Sequence, residues 1–80
     1  MKNLKGKKRP VDNPYEVYRA GDWEWRVLKH YQSDEAAAKN PYARVYCQVT
    51  SPFTYGSGDL GDTYLSDIVK SARLVEVNHG

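Results

Sequence analysis

Apolar and polar residues alternate with a period of two in the stretch Trp23 to Leu28, with Trp23, Trp25 and Val27 on one side and Glu24, Arg26 and Leu28 on the other. That period places successive side chains on opposite faces of a half-buried strand. The aromatic and β-branched content of Tyr15 to Arg19 predicts a strand before it. Ala20-Gly21-Asp22 joins the two as the tight turn of a hairpin. From Ala43 to Thr50 the alternation returns, with Ala43, Val45, Cys47 and Val49 facing one way and Arg44, Tyr46, Gln48 and Thr50 the other. The apolar side of that strand is expected to meet the tryptophan side of the hairpin.

Other signals fill the gaps. Ser33 to Pro41 has a hydroxyl at the capping position, acids in the first turn, a cation in the last and a proline stop, which predicts a short surface helix with nothing larger than Ala to bury. Ser51 to Asp62 reads as a loop from its proline and three glycines. Leu65, Ile68, Val69 and Ala72 fall at helical spacing, and Arg73 to Val77 reads as a closing strand. Thr63 to Leu65 fits two assignments, the start of that helix or a further short strand leading into one helical turn, the order found in small SH3-like barrels. The fold class is therefore α+β and mainly antiparallel β. It is a sheet of three to five strands or an SH3-like barrel, with one short surface helix and one C-terminal helical segment. No repeat or heptad is present.

Charge divides the chain. Lys2, Lys5, Lys7, Lys8 and Arg9 place five cations before Pro10, whereas residues 11–80 carry seven cations and ten anions, a net of −3 within a total of +2. Clustered like charges with Gly and Pro cannot bury enough apolar surface to offset their ordering entropy. Residues 1–12 are thus expected to be a disordered basic arm, and residues 13–80 one compact domain. The chain of 80 residues has room only for a small core, which seven Tyr, two Trp and one Phe help to fill. A single cysteine, Cys47, leaves no internal disulfide framework and favours a reducing compartment. The basic start lacks the apolar stretch of a signal peptide, and no apolar run approaches the roughly 20 residues of a membrane span. A soluble, cytosolic protein is expected.

Candidate chemistry is sparse. Gly56-Ser57-Gly58-Asp59-Leu60-Gly61 matches G-x-G-x-x-G, but Pro52-Phe53-Thr54-Tyr55 replaces the apolar strand that must run into such a motif, and Asp59 would oppose a phosphate. Cys47 and His30 fall on opposite faces by parity, so a thiol–imidazole pair is not expected, and His30 reads as a surface residue. Asp59, Asp62 and Asp67 match no defended cation loop, and Asp62 or Thr63 is instead placed to cap a helix. Trp23 and Trp25 read as core. No catalytic, cofactor or metal residue is assigned, and the chain is expected not to be an enzyme. The binding candidates are Lys2, Lys5, Lys7, Lys8 and Arg9 on the arm, with Arg26, Arg44 and Tyr46 on the polar side of the sheet, a mixed aromatic and cationic face that suits a protein contact or stacked bases.

The strings Asn13-Pro14-Tyr15, Gly21-Asp22-Trp23-Glu24-Trp25-Arg26-Val27-Leu28, Pro41-Tyr42-Ala43-Arg44 and Gly61-Asp62-Thr63-Tyr64 with Asp67-Ile68 resemble a group of small actinobacteriophage proteins without an assigned activity. The resemblance covers the body and excludes the arm. It implies a setting, the bacterial host cytoplasm during infection or from a prophage, and no functional residues. A host or phage protein is the expected partner, with nucleic acid held through the arm, or a place in the virion, as the alternatives.

Overall fold

The computed structural model describes residues 7–32, 39–40, 43–52 and 58–78. Five strands run in the order β1 (Glu16–Ala20), β2 (Trp23–His30), β3 (Arg44–Thr50), β4 (Asp59–Tyr64) and β5 (Arg73–Val77), with helix α1 (Leu65–Val69) between the last two. They form one sheet, β4-β3-β2-β1-β5, in which every neighbouring pair is antiparallel. β4 and β5 are its two edges, so the sheet is open and not a closed barrel. The predicted helix over Ser33 to Pro41 lies mostly outside the described residues.

Gly21, at φ 59°, makes the β1–β2 turn that pairs Ala20 with Trp23. The strand β4 begins at Asp59, inside the stretch predicted as loop, because the β3 ladder continues outward through Val49–Asp59, Gln48–Leu60 and Cys47–Gly61. Thr63 and Tyr64 complete β4 and Leu65 opens α1, which decides the ambiguity at Thr63 to Leu65 for a strand followed by a short helix. The start of α1 carries no side-chain cap, since Tyr64 occupies that position, so the expected capping by Asp62 or Thr63 is not made.

Tyr18, Val27, Val45 and Cys47 line one side of the sheet, and Ile68 and Ala72 from the helical segment cover them. Trp25, Val49 and Leu65 pack at the margin of this core. Trp25 thus packs half-buried against the core, whereas Trp23 is 42% exposed and stacks on Trp25 with ring centroids 6.3 Å apart. Val69 also departs from expectation: it faces solvent, and only Leu65, Ile68 and Ala72 of the helical pattern reach the core.

The alternation in β2 does not run unbroken. Val27 pairs with Cys47 and Lys29 with Tyr46, so Leu28 is an extra residue at a bulge, and it is buried. A bulge of one residue shifts the phase of everything beyond it. Lys29 therefore takes the polar side, and His30, paired with Val45, turns into the core side at 5% exposure. The expectation of a surface His30, on the face opposite Cys47, is corrected by this bulge. Its Nε2 is hydrogen-bonded to Oε1 of Glu16, which is also buried, and its ring forms a T-shaped pair with Tyr15, ring centroids 5.7 Å apart.

Residues 7–12 are not a free tether. The Arg9 amide donates to the Leu28 carbonyl at 2.8 Å, the Tyr15 hydroxyl donates to the Lys7 carbonyl at 2.7 Å, and Arg26 Nη1 donates to the Val11 carbonyl at 2.5 Å. Arg9 Nη1 also reaches the Asn78 carbonyl at 3.0 Å, tying the segment to the chain just beyond β5. Charge patterning predicts disorder over residues 1–12; within residues 7–12 the Arg9 amide finds a partner at the Leu28 bulge and the Arg9 guanidinium one at the Asn78 strand end. Lys2 and Lys5 lie outside the described residues.

Candidate macromolecule-binding surface

The polar side of the sheet is set by the ladder. Arg26 lies opposite Gln48, Lys29 opposite Tyr46, Tyr46 opposite Asp62 and Arg44 opposite Tyr64. Cross-strand partners share a face, so Arg26, Arg44 and Tyr46 stand together as expected. Residues 7–12 lie against the same face, with Lys8 Nζ 4.5 Å from the centre of the Tyr46 ring and Val11 held by Arg26. Val17 and Gln48, whose positions on this face would otherwise meet solvent, are 3% and 5% exposed. Arg9 is directed elsewhere, over the Tyr15 ring at 4.2 Å.

Tyr31 completes the surface and was not among the sequence candidates. It lies one residue beyond β2, where the phase shift at Leu28 places it near Arg44, and a bulge leaves no mark in an apolar–polar pattern. Its hydroxyl donates to Asp62 Oδ1 at 2.7 Å, Arg44 Nη2 donates to Asp62 Oδ2 at 2.6 Å, and the Lys29 ammonium and Arg44 guanidinium lie over its ring at 4.8 and 5.4 Å. Asp62, read from sequence as a cap, is instead the anionic centre of this cluster. The Tyr31 hydroxyl, and then Arg44, hold its carboxyl below the usual carboxylate range, and the same bond raises the Tyr31 phenol.

Toward the other end of β2, opposite Thr50, Glu24 accepts from Arg26 Nε at 2.6 Å and from Arg19 Nη2 at 2.8 Å, and these bonds, Arg26 first, lower its pKa. Arg19, Arg26 and Arg44 thus have carboxylate partners, whereas Lys7, Lys8 and Lys29 form no ion pair among the described residues. Among the described residues the surface thus combines ion-paired arginines with lysines that make no direct ion pair.

The residues considered above for bond-making chemistry are held in other ways. Cys47 is 2% exposed, and burial pushes its thiol up to about 11, so it stays protonated at neutral pH. His30 shares its side of the sheet, but its Nε2 is taken by Glu16. Asp59 and Asp62 are three apart on β4, opposite Val49 and Tyr46 and so on different faces, Asp67 lies on α1, and among the described residues no three His, Cys, Asp or Glu side chains converge on a metal position. Gly58 to Gly61 runs into a strand, not a helix N-terminus, which removes the amide cradle a phosphate motif needs. A recess of about 510 Å³ beside α1 is lined in part by Arg19, Lys70, Ser71 and Arg73. No helix among the described residues is long and apolar enough to cross a membrane.

No protein-family model matches the chain, and no match was found among curated proteins or solved structures.

Proposed function

We propose that this chain is a small non-enzymatic accessory binding protein that holds an acidic protein partner on the face built by Lys8, Lys29, Tyr31, Arg44 and Tyr46. The observation that carries the reading is that three cations lie over the two tyrosine rings while Lys8 and Lys29 lack carboxylate partners among the described residues. Rigid aromatic bodies with cations at their rim are the composition of a protein contact surface. Because those cations already cover ring faces, the tyrosines are poor platforms for stacked bases, which favours a protein over a nucleic acid. The resemblance to small phage proteins makes the bacterial host cytoplasm the setting and a host or phage protein the partner.

Nucleic-acid binding is the second reading, favoured by the contact of Lys8 with Tyr46, which joins the basic segment to the sheet face. Five cations displacing counterions from a duplex would give a logarithmic salt slope on the order of −4 to −5. A virion role would use the same arm.

Affinity capture from bacterial lysate, with and without nuclease, separates these. A protein retained by the wild-type chain, unaffected by nuclease and lost from Lys8→Glu/Lys29→Glu supports the first reading. Retention of the same proteins by that variant sinks it. Nuclease-sensitive capture, with a gel shift abolished by deleting residues 1–10, transfers the assignment to the second.

A further inference from the structure

β5 closes one side of the sheet, and among the described residues nothing pairs with its outer edge. Its five residues are all exposed, with Leu74, Val75 and Val77 at 50%, 41% and 43%. An edge with free amides, free carbonyls and apolar side chains is a template for another strand.

The register shows which strand fits. Arg73 pairs with Arg19 and Glu76 with Val17, and the shift between Val17 and Tyr18 makes β5 one residue longer than the stretch of β1 it follows. Arg19 and Val17 are two apart and share a face, so Arg73 and Glu76 share it too. Without the bulge, residues three apart would lie on opposite faces. A bulge often blunts an edge; here it also makes the edge self-complementary. When two copies of β5 run antiparallel about a two-fold axis between Leu74 and Val75, Arg73 of each copy stands opposite Glu76 of the other, on one face. Leu74 and Val75 then oppose one another across the axis.

Charge points the same way. Arg73 has a like charge, Arg19, as its inner neighbour and no ion pair among the described residues. Among the described residues Glu76 accepts from the Asn78 side-chain amide, at 2.7 Å, and forms no ion pair. Like charges directly opposite are unfavourable and opposite charges favourable, so the outer partner of Arg73 should be a carboxylate.

We propose that β5 is a homodimerisation edge, joining two copies into a continuous antiparallel sheet of twice the width with both lysine-bearing faces on the same side. The test is sedimentation equilibrium of the full chain across a wide concentration range, with folding of each variant checked by circular dichroism. A monomer–dimer equilibrium is expected for the wild type. Arg73→Glu and Glu76→Arg should each weaken association by about tenfold, and the double variant Arg73→Glu/Glu76→Arg should restore it. Amide exchange at Val75 should slow as concentration rises. A monomer at every concentration overturns the proposal, as does a dimer indifferent to the single variants or one that the double variant fails to restore.

Discussion

Glu16 and His30 are buried side by side in a molecule with little interior to spare. Removing one partner leaves the other to carry its desolvation unaided, so Glu16→Ala should cost about 2 kcal/mol in urea unfolding. A loss of under about 0.5 kcal/mol would show that the pair is a bystander. The acids of the polar face act differently. Glu24 and Asp62 have folded-state pKa values below their ordinary 4.5 and 3.8, so each favours the fold when ionised. Their contribution is complete above those ordinary values and disappears as acidification protonates the folded forms. Unfolding midpoints measured downward from pH 7 should therefore fall below about pH 4.5, and Asp62→Asn should fall less steeply than wild type. At this scale the sequence was legible where position alone sufficed, as for Cys47, whose apolar neighbours Val45 and Val49 marked it as core. It was illegible for His30, because one extra residue at Leu28 decides its side.

Among elements, the strands β1, β2, β3 and β5 could be read from alternation and composition to within a few residues. β4 could not be read in full. Asp59-Leu60-Gly61-Asp62 has the composition of a loop, and it is extended because β3 offers a ladder that its own propensity does not request. The turn into it depends on Gly58, at φ 88°, where an added Cβ would lie 2.6 Å from both the Val49 carbonyl oxygen and Thr50 Cγ2. Gly58→Ala should destabilise by more than about 1 kcal/mol and raise amide exchange along β4 before β1. Uniform exchange across the sheet would show that β4 has no separate dependence on that turn.

For the whole molecule, charge patterning divides a basic segment from an acidic body and is silent on the bonds between them. Composition reports whether a segment can fold alone, not whether a body offers it hydrogen bonds, and the bonds from Arg9 to Leu28 and from Arg26 to Val11 join chain positions that no local pattern connects. Deleting residues 1–12 should thus lower stability by about 2 kcal/mol, since it removes several intramolecular hydrogen bonds worth roughly 1 kcal/mol each. An unchanged urea midpoint would return the segment to the status of a loose tether. The candidate surface was half legible for the same reason: the shared face of Arg26, Arg44 and Tyr46 followed from strand parity, while Tyr31 and Asp62 needed the third dimension.

The extra residue at Leu28 also has a genetic reading. In a saturation scan of β2, sensitivity to polar replacement should follow odd positions through Val27 and even positions at His30, with Lys29 permissive, so that tolerance data would display a phase reversal at one codon. Deleting that codon would set Val27, Lys29 and His30 in unbroken alternation opposite Cys47, Tyr46 and Val45, so His30 should keep its side and this deletion should be tolerated better than one elsewhere in the strand.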